Sequence, residues 1–589
     1  MHKKFRFTLL ALSLIAFALL AACEKKEAVS VVKAAPEKVL RFVDNAEVAS
    51  LNAQIDTNTV IWYSIYYYTH SGLYIRVPTE DGRGAVLIGD IADGDPYLAD
   101  NTGRVWRINL KRNAKWHNGA PINADTFVYS YKMFIDPLLL NNMANFFYDR
   151  EIKIVNAYEY YIQAQEGRPA IRWEDVGFKK IDDYTVEIST TQRYNAEDVK
   201  RHFTDRSVMP VYEPYYEAGM NSTRTQTSYG TTLDNYMGCG PYYFDSWNYG
   251  TERIYVKNPD HWHSNLFHFD RVEVRISGDR NTRVMMFENG DIDMLTLDAT
   301  TMPQYRDDPR IKQYITLSPH HIDINNLNTN NPILRTQSFR NAMYWAMDRQ
   351  TIGDLVNCIP AAYYVTEQAG VFNGLGTNYR SSPEARAVVP PNMGYDPNRA
   401  RQYFDAALAE IGQNSVTLEL IYSEAQEGHR IIGEFLQQAL PEIFGRDRFS
   451  LTLRSVPDAA YEPTATNWRI NPNICELAFG GWGASLSRVY PHAAFMYFME
   501  SYGSRPNSYV SRELERLYAI AQTEDARINP QYLIELTAQM ETVFLSDVVN
   551  VPLYQTVAYI VYSEKLILPC KEYIPYLDYG ALYADIKVD

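Results

Sequence analysis

The sequence predicts an α/β protein made of more than one compact unit. Strand-like stretches, in which apolar and polar residues alternate, and helix-like stretches, with apolar residues three or four apart, follow one another along almost all of its 589 residues. At roughly 100 to 200 residues per domain, this length corresponds to three or four units, some assembled from separated segments. There is no self-similarity at a period of about 20 to 50 residues and no low-complexity tract, which argues against solenoids and propellers.

At the amino terminus, Lys3, Lys4 and Arg6 precede an apolar run, Thr8 to Leu20, that is too short to span a bilayer comfortably; Leu20-Ala21-Ala22 then leads to Cys23. The pattern resembles a bacterial lipoprotein signal, so residues 1–22 are expected to be removed and Cys23 to carry the lipid. Residues 23–37, mostly Lys, Glu, Ala and Val without apolar periodicity, read as a tether. A first strand begins at Val39, and a polar stretch from Ser50 to Thr59 precedes the aromatic run Trp62 to Tyr68. Trp106 to Leu110 alternates as a half-buried strand and Asn118-Gly119 turns the chain. Phe127, Val128 and Tyr131 then take helical spacing behind a cap at Asn123 or Asp125. Ile181 to Ile188 reads as a strand. Gly238 and Gly240 suit a turn needing positive φ, with Pro241 stiffening the way into a tyrosine-rich strand. Phe339, Ala342, Met343 and Ala346 line one face of a helix running to Arg349, where Asp348 and Arg349 read as a helix-end ion pair or cap. Further helices are expected at Pro397 to Ile411, Gly428 to Leu440, Ser511 to Thr523 and Pro530 to Phe544, with a long surface loop from Gly370 to Pro391.

Loss of Lys3, Lys4 and Arg6 takes the formal charge from −15 to about −18, which disfavours nucleic acid as a partner and mildly favours cationic ligands. After residue 22 no apolar run is long enough for a membrane helix. Cys239, Cys358, Cys475 and Cys570 contain no Cys-x-x-Cys pair; in an exported chain three pairings are open to them, as is the free thiol state. His261-x-His263 and His320-His321 are conceivable chelators, but a full ligand set is not visible and no metal or cofactor is expected. Gly-x-Ser-x-Gly, Walker and His-Glu-x-x-His motifs are missing, and the many carboxylates single out no glycosidase dyad.

Several blocks carry a resemblance. Trp106 to Gly119 followed by Ala124-Asp-Thr-Phe-Val-Tyr-Ser130 comes first, then Asp182-Asp-Tyr-Thr-Val186, Gly238-Cys-Gly-Pro-Tyr242 and Asn258-Pro-Asp-His-Trp262. Gly290-Asp-Ile-Asp293 and Phe339-Arg-Asn-Ala342 to Asp348-Arg349 follow. In this order they resemble signatures of the large extracellular solute-binding proteins of ABC importers, the oligopeptide, dipeptide and nickel group. The resemblance implies a periplasmic-binding-protein-like fold of type II in its large three-domain form: two lobes with mixed sheets, a two-strand hinge and an inserted domain. Lobe I is expected from 38–75, 175–320 and 550–589, the inserted domain II from 76–174 and lobe III from 321–549. The crossings are expected near Thr316 to Asn326 and Val548 to Gln555, where hinge bending closes the lobes on a ligand.

The implied function is capture of an oligopeptide or peptide-like solute by a monomer that is lipid-anchored in the cell envelope, faces the periplasm or the outside, and delivers its cargo to permease and ATPase subunits without chemistry of its own. An oligosaccharide or metal-chelate carrier of the same fold, a lipoprotein glycoside hydrolase, and a receptor that senses or adheres without import are the alternatives.

In Cys475 to Ser485 a strand runs into Gly480-Gly481-Trp482 and small residues, leaving backbone groups open to pair with an extended guest. In the resembled family this place reads Gly-Trp-x-x-Asp, and the aspartate receives the peptide's α-ammonium. Trp482, Gly483, Ala484 and Ser485 are therefore expected at the ligand, with Thr57, Asn58 and Thr59 from the loop that faces it. Ser485 stands where the aspartate belongs. The 46 tyrosines, clustered at Tyr66-Tyr67-Tyr68, Tyr160-Tyr161, Tyr242-Tyr243 and Tyr363-Tyr364, offer rigid faces with polar tips, although most such residues serve strands. Losing one partner of a buried charge pair costs on the order of 3 to 5 kcal/mol, and a serine does not neutralise an ammonium. A titration series with free and N-acetylated forms of one peptide is therefore expected to show a preference below about tenfold, about 1.4 kcal/mol; a large preference for the free amine contradicts this reading.

Overall fold

Two strands, Ile311–Ile324 and Asn550–Tyr562, run antiparallel through the interior of a seven-stranded sheet in the computed structural model of the chain. Both are rich in β-branched and aromatic residues, which suits long paired strands. The structure describes residues 36–588 other than 56–60, 142, 149–151, 167–168, 299, 367–378, 482–489, 500–508 and 575–576. Lys38–Lys587 fold as one unit.

Each long strand serves two cores. Ile322 and Ile324 lie with Val551, Leu553 and Tyr554 in the core of one lobe, whereas Ile560 and Tyr562 pack in that of the other. The ladder shifts register between Ile315 and Pro319 and again between His320 and His321, at the passage between cores. There the buried Gln555 donates from Nε2 to Thr316 O at 2.9 Å. An irregular ladder bends locally while the pairing holds on either side.

The first lobe is built on a four-stranded sheet in the order Val39–Asp44, Arg271–Ile276, Glu252–Lys257, Tyr242–Asn248. Leu40, Phe42, Tyr255, Val272 and Val274 close its core against Ile560 and Tyr562. The inserted domain has its own sheet, ordered Tyr97–Leu98, Val105–Asn109, Thr185–Ser189, Phe178–Asp182. The helix Ala124–Phe134 packs beside it, capped by Asn123, whose side chain accepts from Thr126 N at 3.2 Å. The boundary expected between 174 and 175 falls inside this domain, since both strands after residue 177 join its sheet. Alternation marks a strand, and only its pairing tells which sheet it joins. The stretch 181–188, expected as one strand, is a hairpin in which Asp182 Oδ1 accepts from Tyr184 N at 2.8 Å.

In the other lobe Val416–Ser423 and Phe449–Val456 are parallel, joined by the helix Glu427–Phe444, and Leu477–Gly481 lies between this pair and the hinge. The helices Gln337–Ala346 and Pro397–Ile411 bury Phe339, Ala342, Met343, Phe404 and Leu408 in the same core.

Tertiary contacts changed several local expectations. The helix expected to reach Arg349 stops at Ala346, and Asp348 caps a separate helix, Arg349–Val356, by accepting from Thr351 N at 3.1 Å. Arg349, fully buried, donates from Nε to Pro552 O and from Nη1 to Met393 O, both at 2.7 Å, and from Nη2 to Tyr344 O at 3.1 Å. It thereby ties the helices to the second hinge strand. Gly238 and Gly240 do not take positive φ. A Cβ there would strike the Thr69 backbone, to whose oxygen Cys239 N and Gly240 N donate at 2.9 and 2.8 Å. Close approach, not turn geometry, demands these glycines. The loop expected from Gly370 contains the helix Pro383–Val388, while 370–378 lies outside the described residues. Cys239, Cys358, Cys475 and Cys570 are all free thiols.

Burial holds the Arg349 guanidinium down to about 10, still charged at neutral pH. Arg349→Met leaves several buried carbonyls without a donor, and urea denaturation is expected to show a loss of about 3 kcal/mol or more. Arg349→Lys, which keeps the charge but not the fork, should recover only part of this loss.

Candidate functional site

Thr57, Asn58, Thr59, Trp482, Gly483, Ala484 and Ser485, like Cys23, lie outside the described residues, but the segments leading up to Thr57 and Trp482 are described. Leu477–Gly481 leads into Trp482. It pairs with His320–Ile324 along its length, but with Val416–Ser423 only at Leu477 and Ala478. Among the described residues no strand pairs with this outer edge beyond Ala478. Tyr461 OH donates to Phe479 O at 2.7 Å at the point where the second strand ends.

Gly480 and Gly481 stand opposite His321 and His320. A Cβ on Gly480 would collide with the His321 and Asp323 side chains, and one on Gly481 would come within 3.3 Å of the His320 ring. The two glycines thus let imidazoles and a carboxylate stand against the strand. His321 Nε2 lies 3.2 Å from Asp323 Oδ1. On the other face His320 stacks on Tyr554 at 4.8 Å, His429 stacks on Phe479 at 4.4 Å, and His320 Nδ1 is 3.3 Å from His429 Nε2. Burial, then the neighbouring imidazoles, pull His320 down to about 3; burial, then His321, pulls His429 to about 4. Both rings are therefore neutral near pH 7, where one donates to the other.

The segment leading into residues 56–60 is anchored in the first lobe and the inserted domain. Leu51 N donates to Gly230 O at 2.7 Å, and Tyr66 OH donates to Leu51 O at 2.6 Å while accepting from Ala53 N at 3.1 Å. Gln54, buried, donates to Ser130 O at 3.2 Å and accepts from Tyr216 OH at 3.2 Å. These bonds hold rigid the ground from which residues 56–60 depart.

Beside the hinge strands a cavity of about 750 Å³ has walls from both lobes: Gln313, Tyr314, Tyr559 and Tyr573 on one side, Gly353 and Asn357 on the other. Tyr314 and Tyr573 stack at 4.2 Å, and Tyr559 OH donates to Asn357 O at 3.0 Å. Local pattern singled out none of these residues. Only the tyrosine excess pointed toward them, and the adjacent tyrosine pairs it highlighted are largely core: Tyr66, Tyr68, Tyr160, Tyr242, Tyr363 and Tyr364 are buried. Of the conceivable chelators, His261 Nε2 is 3.0 Å from Ser71 Oγ, and its Nδ1 accepts from His263 N at 3.2 Å. His263 Nε2 lies 2.9 Å from Gly89 O. Among the described residues no group of three or more His, Cys, Asp or Glu is placed to hold a metal.

Comparison with known proteins agrees with this architecture. A profile described as "Bacterial extracellular solute-binding proteins, family 5 Middle" matches residues 89–504. The dipeptide-binding protein DppE of Bacillus subtilis (strain 168) is 24% identical over 424 residues, which is 70% of this chain and 70% of that protein. The dipeptide-binding protein of Lactococcus lactis subsp. cremoris (strain MG1363) is 22% identical over 544 residues, 88% of this chain and 90% of that one. Among solved structures, "Listeria monocytogenes OppA bound to peptide" superposes with a TM-score of 0.73 at 21% identity, over 94% of this chain and 100% of that one. The fold is thus the two-lobed type II binding-protein fold with an inserted domain.

Buried neutral histidines make stability depend on pH. His70, His320 and His492 are held near 3, and His117 and His429 near 4, with burial the leading cause in each. In the unfolded chain they protonate near 6.5. Their contribution is complete above about pH 6.5 and is lost as pH falls toward 4, by about 1.4 kcal/mol per pH unit for each group. Urea midpoints are expected to fall between about pH 7 and about pH 4.5, and His429→Gln to make that fall shallower; an unchanged slope in the variant contradicts the assignment.

Proposed function

The chain belongs to the bacterial extracellular solute-binding proteins of family 5, and on that premise we propose that it is the capture component of an ABC importer. It takes up an oligopeptide or peptide-like solute between its lobes, closes by bending at the paired strands Ile311–Ile324 and Asn550–Tyr562, and presents the closed form to a permease. The observation that carries the reading is family membership joined to this hinge, in which two strands pass between two separate cores. Relatives named for dipeptide binding, and the likeness to a structure titled as bound to peptide, support a peptide as cargo.

The edge beyond Phe479, which no strand among the described residues pairs with, supports the mode of capture. A guest in extended form adds to it as a strand, so that backbone pairing supplies affinity and residues 57–59 and 482–485 supply selectivity. The protein performs no chemistry itself. Cys23 carries the lipid that holds it at the membrane, and residues 23–37 give it reach.

Native mass spectrometry of the purified protein is expected to show one bound solute per chain, identified as an intact peptide after denaturation. Tryptophan fluorescence should then titrate stoichiometrically with that peptide, without turnover. Recovery of a sugar, a metal chelate or cleaved cargo contradicts the proposal. Cys23→Ser is expected to move the protein from the membrane fraction to the soluble fraction, and retention at the membrane contradicts the anchor.

A further inference from the structure

Away from the hinge strands, the inserted domain and the lobe beyond the hinge share a dry ion pair. Asp198 lies in the helix Ala196–His202, whose Val199 packs with Phe203 and Tyr194 in the core of the inserted domain. Its side chain is 3% exposed. Two donors come from its own segment, Asn195 N to Oδ2 at 3.3 Å and Arg201 Nη1 to Oδ1 at 3.4 Å. Two shorter bonds arrive from residues hundreds of positions away, Arg527 Nη2 to Oδ2 and Tyr490 OH to Oδ1, both at 2.9 Å.

Arg527, 7% exposed, belongs to the helix Glu524–Ile528, whose Ala526 packs with Leu517, Leu533 and Phe544 in a separate core, against which Tyr490 also rests. Its guanidinium lies 4.0 Å above the Tyr194 ring, and at the solvated rim Arg193 Nη1 is 3.4 Å from Glu524 Oε1. The two cores are carried by different lobes, so opening at the paired strands Ile311–Ile324 and Asn550–Tyr562 draws Asp198 away from Arg527 and Tyr490. Once apart, carboxylate and guanidinium are hydrated separately, and the bonds between them exist in the closed arrangement alone. A bond present on one side of an equilibrium stabilises that side only, and a dry charge pair acts chiefly on the rate of separation.

We propose that Asp198, Arg527 and Tyr490 form a latch that is made only as the lobes close over a bound solute, and that it sets how long the solute is held. The empty chain is open and the latch unmade, so these residues have no part in the first encounter with cargo. They are positioning residues, acting through the spacing of the lobes. The inference rests on the capture reading above and adds to it the contact that governs release.

The test loads the full chain, emptied by unfolding and refolding, from a mixture of synthetic di- to hexapeptides, and follows bound peptide by native mass spectrometry after dilution into peptide-free buffer. Asp198→Asn and Arg527→Gln are expected to release peptide about tenfold faster than the parent and to load within about twofold of its rate. The double variant should release no faster than the quicker single one, because the pair acts as a unit. Tyr490→Phe, which removes one hydroxyl, is expected to speed release less, and it carries the test if a charge variant fails to refold. In the empty chain Arg527→Gln should leave the urea midpoint where the parent has it, which separates a latch from a permanent structural bond. A parent that takes up no peptide overturns the capture reading and the latch with it. A parent that loads while the folded variants release at its own rate, or a lowered urea midpoint in empty Arg527→Gln, overturns the latch alone.

Discussion

A hydrogen-bonded strand pair resists stretching and sliding but bends where its register slips, and the chain uses one such pair to join its two halves. The ladder between Ile311–Ile324 and Asn550–Tyr562 is continuous on both sides of the slip, so each lobe is welded to its own end of the ribbon. Ile322, Val551 and Leu553 cannot leave one core, nor Ile560 and Tyr562 the other, without exposing large apolar surfaces. The register shifts fall within residues 315–321, so this short stretch is where the ribbon departs from a regular ladder. The pairing of Leu477–Gly481 with the same ribbon places the edge strand that leads into Trp482 directly beside that joint.

Around this joint the protein spends buried charge freely, and each instance ties separated segments together. Arg349 reaches four backbone carbonyls, those of Tyr344, Met347, Met393 and, on the hinge strand, Pro552. Glu541, fully buried, accepts from Tyr364 N, Val365 N, Tyr379 OH and Arg380 Nη2 at 2.6 to 2.9 Å, fixing the segment around Tyr364 to the helix Pro530–Asp547. Asp198 and Arg527 do the same between lobes. Such groups add little net stability over apolar ones of the same shape, but they punish any arrangement other than the native one.

Much of the frame was legible in the sequence. Asn123 behind a helical apolar pattern, the strand at Val39 and the helix Pro397–Ile411 appear where pattern and capping place them. The ordered blocks from Trp106 to Arg349 carry the family's signatures in the sequence itself. What failed did so for non-local reasons. The helix through Met347 was broken by a cap at Asp348, and Arg349 left its neighbour for carbonyls far along the chain. Gly238 and Gly240 looked like turn residues, yet it is the packed Thr69 backbone that excludes a side chain there. The tyrosine pairs are largely core, as most strand tyrosines are, while the cavity at the hinge draws Tyr314, Tyr559 and Tyr573 from isolated positions that no local pattern marks.

By itself the sequence determined the elements, their order, the family and the departure at Ser485, because capping, periodicity and motif spacing act over a few residues and are written in consecutive letters. Only the tertiary structure decided which sheet the strands after residue 177 join, where the ladder of the paired strands slips, which histidines face one another and that Asp198 meets Arg527. Those choices depend on pairing and burial between residues hundreds of positions apart, where the energy belongs to the contact and no single stretch of chain contains it.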